Sequence, residues 1–149
     1  MNSSSYSILL VDDDSLVANS LARLLRAKGY DVSISPDPKA ALLLCKKMSF
    51  DLIITDQRMP VMYGTEFAIE AKQLQPATRI ILISGYSDHE QVINAFNMDA
   101  INQHVLKPWD NSELLKTVDE QLQLSFENYW EDQQKANKPA KVNRLLIAS

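Results

Sequence analysis

The sequence predicts an α/β fold, a doubly wound five-stranded parallel sheet, and three observations carry that reading. Short apolar runs alternate five times with amphipathic segments, and only brief connections separate them. Each return from strand to strand passes through a helix, which calls for parallel strands and right-handed crossovers. The 149 residues are about one domain of chain. That is enough for a sizeable core and well short of the ~250 residues of an eight-stranded barrel.

Taken in order, residues 8–11 are a buried strand running into Asp12-Asp13-Asp14, where Asp14 is placed to cap the next helix. Val17, Leu21, Leu24 and Leu25 recur at helical spacing, and Lys28-Gly29 supplies a cation and a C-terminal glycine. Residues 30–34 alternate polar and apolar, as an edge strand does. After Pro36 and Pro38 a second helix carries Ala41, Leu44, Cys45 and Met48 on one stripe, with Cys45 a small core residue. Leu52-Ile53-Ile54 is uninterrupted and ends at Thr55-Asp56, before a loop bearing Pro60 and Gly64.

Phe67, Ala71 and Leu74 mark a third helix closed by Gln75-Pro76. Residues 79–83 form another apolar strand, ending in Ser84-Gly85-Tyr86. A fourth helix is expected from a cap at Asp88 through Phe96, with Val92, Ala95 and Phe96 inward and His89 solvated. The last strand, residues 101–106, leads into Lys107-Pro108-Trp109, where the Trp is expected to anchor packing. The final helix opens near Asp110 to Ser112 and runs through Leu114, Leu115, Val118 and Leu122. Its stripe continues through Phe126 and Tyr129-Trp130, so the helix is expected to overrun the domain and offer a surface for dimerisation or docking.

Composition excludes several classes. Fifteen basic and 19 acidic residues leave a net charge of -4, so no global attraction to nucleic acid or anionic membrane is expected. One cysteine forbids an intramolecular disulfide and fits a reducing compartment. The first residues lack the charged and apolar regions of a signal peptide, and no apolar run approaches membrane-spanning length. A soluble, cytoplasmic protein is the expectation.

The order 2-1-3-4-5, the flavodoxin-like arrangement, would gather the carboxyl ends of four strands around one crevice. Those ends carry Asp12 and Asp13, Asp56, Ser84 and Lys107. Three carboxylates there repel one another unless a cation sits among them, and all-oxygen ligation selects a hard divalent ion such as Mg2+. Asp56 could then attack phosphorus in line to form an acyl phosphate, with Lys107 and Ser84 placed for the phosphoryl oxygens.

These residues resemble the receiver domain of two-component response regulators over residues 7–123, leaving 124–149 as helix extension and short tail or a linker to a further output domain. The acidic pair matches Asp12 and Asp13. The phosphoacceptor matches Asp56 in Asp-Gln-Arg-Met-Pro followed by Gly64, the switch residue matches Ser84, and the lysine matches Lys107-Pro108. The resemblance implies Mg2+ held by Asp13, Asp56 and the backbone carbonyl of Arg58, with Asp12 holding a metal-bound water. It also implies a cis peptide before Pro108. The partners implied are a sensor histidine kinase or phosphotransfer protein, and a downstream protein or output domain reached through the helix 4, strand 5 and helix 5 face. On this reading the chain is a phosphoacceptor switch in a phosphorelay, and not an enzyme with a separate substrate.

Three departures from the family pattern matter. The position three before the lysine, usually Tyr or Phe, is His104. It reads either as a half-buried strand histidine or as an imidazole that swings inward as Ser84 moves, making the switch pH-sensitive. The loop reads Val61-Met62-Tyr63 where Gly-Met-Asp is common, which should alter its rigidity. Arg58 and Tyr86, at positions that gate water in the family, are both large and should slow hydrolysis of the acyl phosphate. Two rivals stay open. Asp12-Asp13-Asp14 also resembles the Asp-x-Asp start of haloacid-dehalogenase-type phosphatases, in which Asp56 would have no role. A module that signals without phosphate is the second.

Overall fold

The computed structural model describes residues 5–137, with side chains through residue 125. Five strands, β1 (Ser7–Val11), β2 (Asp31–Ser35), β3 (Leu52–Asp56), β4 (Arg79–Ser84) and β5 (Gln103–Leu106), form one parallel sheet in the order β2-β1-β3-β4-β5. Five α-helices alternate with them: α1 (Ser15–Ala27), α2 (Pro38–Lys47), α3 (Gly64–Leu74), α4 (His89–Asn97) and α5 (Asn111–Asn137). The predicted order and the extended last helix are both present.

The uninterrupted apolar strands follow from coverage on both faces. Leu9, Val11, Ile53, Ile80 and Leu82 point to one side and pack with Ala41, Phe67, Ala71, Val92 and Ala95 of α2, α3 and α4. The alternate residues Ile8, Leu10, Leu52, Ile54 and Ile81 pack with Leu21, Leu25, Leu114, Val118 and Leu122 of α1 and α5. Each large side chain so buried contributes about 1.5–3 kcal/mol, so a polar residue at either parity would be costly.

Local chemistry sets the element ends. Asp14 Oδ1 accepts from the N–H groups of Leu16 and Val17, capping α1 as expected. Gly29, at φ +94°, turns the chain out of that helix, while Gly29 N and Tyr30 N donate to Arg26 O and Leu25 O. Tyr30 is thereby used by the helix, and β2 starts one residue later than predicted. Asp110 Oδ2 accepts from the Glu113 N–H and the Ser112 hydroxyl, opening α5.

Three expectations need correction. Asp88 makes no side-chain cap; a 3₁₀ turn, Tyr86–Asp88, precedes α4, and the Asp88 carboxylate instead accepts from Gly85 N and pairs with Arg58. Phe96, Met48 and Leu74 are 38%, 47% and 40% exposed, because each lies at the end of its helix, beyond the edge of the sheet it was expected to cover. Strand β5 begins at Gln103 and not at Ile101. Asn102 Oδ1 takes the Ile80 N–H at 2.8 Å, so a side chain replaces the first ladder bond. The stripe at Phe126, Tyr129 and Trp130, as side chains, and the tail from residue 138 lie outside the described residues.

Candidate functional site

The carboxyl ends of β1, β3 and β5 open into a cleft of about 780 Å³ lined by Asp12, Asp13, Asp56, Arg58 and Lys107, with Val17, Pro108 and Trp109 as its apolar wall. Asp56 ends β3 and is 5% exposed. Its Oδ2 accepts from the Arg58 N–H at 3.1 Å, which sets the rotamer. Its Oδ1 receives no hydrogen bond of regular geometry among the described residues and is met by the Lys107 ammonium at 2.5 Å. Lys107 is carried there by β5: its N–H donates to Ser84 O, and the Lys107-Pro108 peptide is cis, as the resemblance implied.

Asp12, Asp13 and Asp56 each offer a carboxylate oxygen, and the three oxygens lie within 4.8 Å of one another. Asp12 is also held by the loop, Oδ1 accepting from the Asp14 N–H at 2.9 Å. Burial raises the Asp12 pKa to about 6; the Asp56 and Asp13 charges raise it too, while the Asp14 N–H and Lys107 oppose the rise. Crowded carboxylates with one lysine among them form a hard, oxygen-only donor set, which fits Mg2+. Asp56 belongs to this cluster, whereas a phosphatase reading centred on Asp12 gives it no role.

The remaining predicted residues fall at different distances from the carboxylates. Ser84, 1% exposed at the end of β4, turns toward β5, and its Oγ lies 2.6 Å from His104 Nε2. Arg58 lines the cleft but sends its guanidinium to Asp88 Oδ1 at 2.9 Å and Ser87 Oγ at 3.1 Å. Tyr86 is 82% exposed and does not line the cleft. Trp109 packs against the α1–α5 side of the core, and its Nε1 donates to Asn111 Oδ1, as a packing anchor does.

Sequence reasoning missed the supporting role of two residues at the site. Gln57 reads as one more polar loop residue, yet it is 1% exposed; its Oε1 accepts from Thr65 N at 2.8 Å, and its carbonyl accepts from Gly64 N at 2.8 Å. Asp88, read as a helix cap, is the buried anion that holds Arg58. The loop departure at Val61 also takes structural form: φ is +78°, a left-handed backbone at a β-branched residue. Its side chain is 79% exposed and gains little from the position. Val61→Gly is therefore expected to raise stability by about 0.5–1 kcal/mol, relief of strain exceeding the added chain entropy. An increased urea midpoint at unchanged slope checks it.

Fold and cleft together define an α/β protein with an acidic, lysine-paired pocket at the ends of its parallel strands. The chain belongs to the response regulator receiver domain family, whose model matches residues 8–119. It is thus a component of two-component phosphorelay signalling. The hydrogenase transcriptional regulatory protein HoxA of Cupriavidus necator is 37% identical over 119 residues, 79% of this chain and 24% of HoxA. The transcriptional regulatory protein ZraR of Escherichia coli is 33% identical over 122 residues, 82% of this chain and 27% of ZraR. The chain thus spans about a quarter of the length of these relatives. Among solved structures, a CheY-like response regulator receiver domain protein from Methanospirillum hungatei superposes with a TM-score of 0.80 at 29% identity, covering 84% of this chain and 99% of that one. The signal receiver domain of an HD domain-containing protein from Pseudomonas fluorescens gives 0.80 at 29%, covering 87% and 95%.

Proposed function

We propose that Asp56 accepts a phosphoryl group from the phosphohistidine of a sensor kinase or phosphotransfer protein, and that this charge switches a partner or output domain. The observation that carries the reading is the buried Asp56 carboxylate, with Lys107 the one partner of Oδ1 among the described residues and two further carboxylates beside it. An Asp56 oxygen forms the new O–P bond as the P–N bond of the donor phosphohistidine breaks, and the electron pair leaves with the donor imidazole. Lys107, already at the attacking carboxylate, follows the charge onto a phosphoryl oxygen. Asp13, Asp56 and the Arg58 carbonyl would hold Mg2+, with Asp12 acting through a water. When bound, Mg2+ supplies charge neutralisation between carboxylates and phosphoryl oxygens.

The acyl phosphate adds nearly two negative charges inside the crevice, and these draw Ser84 and bias the β4–α4 loop. The face of α4, β5 and α5 is the proposed signalling surface for a downstream protein, an output domain or a second copy. The exposed Ile93 and Phe96 of α4 support it. HoxA and ZraR are transcriptional regulators by name, so the absence of direct nucleic-acid contact is proposed for this domain's surface only. A cytoplasmic site of action is proposed too, and no helix among the described residues is long and apolar enough to cross a membrane. The chain itself is proposed to be a switch that turns over no separate substrate.

The test is incubation with acetyl phosphate and Mg2+, borohydride trapping and mapping of the adduct. Modification at Asp56 supports the proposal, and modification at Asp12 alone restores the phosphatase reading. Lifetime is a second measurable. Arg58→Ala opens the cleft wall and releases Asp88, so the adduct should decay several-fold faster. Tyr86→Ala should have the smaller effect, given the exposure of the ring. Decay followed by adduct mass at fixed Mg2+ decides, and an unchanged rate in both variants ends the shielding argument.

A further inference from the structure

The half-buried His104 faces Ser84 across the outermost strand pair. In the β4–β5 register Leu82 lies opposite His104 and Ser84 opposite Leu106, so His104 and Ser84 share one face of the pleat as diagonal neighbours. Their polar atoms meet at 2.6 Å. Among the described residues no hydrogen bond joins Ser84 Oγ to Asp56 or Lys107, so the hydroxyl proposed to serve the phosphoryl group is already engaged elsewhere. A serine hydroxyl has one proton to give.

Resting on the phosphoacceptor reading above, we propose that His104 is a positioning residue for the switch hydroxyl: its Nε2 accepts the Ser84 O–H and withholds that proton from the phosphoryl oxygens until the imidazole is protonated or turned away. A protonated Nε2 can only donate, so it bonds to the Ser84 oxygen and leaves the hydroxyl proton free for phosphate. The relay then runs from imidazolium N–H to serine oxygen, and from serine O–H to phosphoryl oxygen. No covalent bond changes in this step; the imidazole takes one proton from solvent.

The surroundings keep the imidazole neutral at ordinary pH. Burial lowers the His104 pKa from its usual 6.5; the Asp88 carboxylate on the 3₁₀ turn opposes this, and His89 at the start of α4 adds to it. The hydroxyl is therefore withheld at neutral and alkaline pH and released as pH falls. By linkage, a phosphoryl group on Asp56 must raise the proton affinity of His104.

The test uses the full chain, acetyl phosphate and Mg2+, with imidazole nitrogen NMR as a readout independent of phosphorylation. In the unmodified protein at about pH 8, Nε2 should be the unprotonated nitrogen and should shift in Ser84→Ala. His104→Phe removes the acceptor and should raise the phosphorylation rate about fivefold at about pH 8, the worth of one competing hydrogen bond. The advantage should shrink toward unity as the pH is taken down to about pH 5, because burial makes the imidazole protonate below its usual 6.5. His104→Gln keeps an acceptor that does not titrate, so it should stay slow at both. A protonated Nε2 at about pH 8, or equal rates for wild type and His104→Phe there, overturns the inference while an Asp56 adduct leaves the phosphoacceptor reading intact. If no adduct forms on wild type, both readings fall.

Discussion

Asp56→Asn is expected to abolish phosphoryl incorporation from acetyl phosphate, a loss to background and not a partial decline. The amide has no carboxylate oxygen to attack phosphorus, and no other carboxylate among the described residues has the same setting. Asp13 is exposed, and Asp12 Oδ1 is engaged by the Asp14 N–H. Among the described residues only Asp56 combines burial, a fixed rotamer and a lysine on its free oxygen. The same substitution has a second readout that needs no phosphate. Burial is the main reason the Asp12 pKa rises to about 6 and the Asp56 charge adds to it, so in magnesium-free buffer Asp56→Asn should lower the Asp12 pKa part of the way, burial still holding it above the ordinary 3.8. Carboxyl NMR follows it. Incorporation that persists in the Asn variant would move the phosphoacceptor elsewhere.

Gly64→Ala should be the most damaging small substitution in the domain, costing about 3 kcal/mol of stability. A Cβ at this position would sit 2.2 Å from the backbone oxygen of Asp56 and 2.9 Å from Leu82 Cδ1. No backbone conformation special to glycine is involved, so the requirement is steric. Nor can the first turn of α3 back away, because Gly64 N is bonded to Gln57 O and the Gln57 side chain grips Thr65. Relief must come from β3 itself, which moves the phosphoacceptor. The expected result is a lower urea midpoint together with slower phosphorylation. A variant of unchanged stability would show that the approach of α3 to β3 is looser than the distance implies.

The element order and the site's main residues were legible because their signals are local. Apolar runs such as Leu52-Ile53-Ile54 and Arg79 to Ile83 announce strands covered on both faces, and the polar residue ending each run marks the crevice. Asp14 and Gly29 announce helix ends by the same short-range chemistry. The reading failed where a side chain serves a distant backbone. Asn102 replaces a ladder bond to Ile80, which shortens β5, and Asp88 gives up helix capping to hold Gly85 and Arg58. It also failed at helix ends, since Met48, Leu74 and Phe96 continue a correct periodicity beyond the sheet they were meant to cover.

By itself the sequence determined an alternating α/β chain with carboxylates, a serine and a lysine at strand ends, because hydrophobic period and strand termination are properties of neighbouring residues. Only the tertiary structure decided that Lys107 sits on Asp56, that Ser84 turns to His104, and that Arg58 reaches across to Asp88. Those pairings join residues on separate strands and loops. Their geometry comes from strand register and loop packing, which no local pattern encodes.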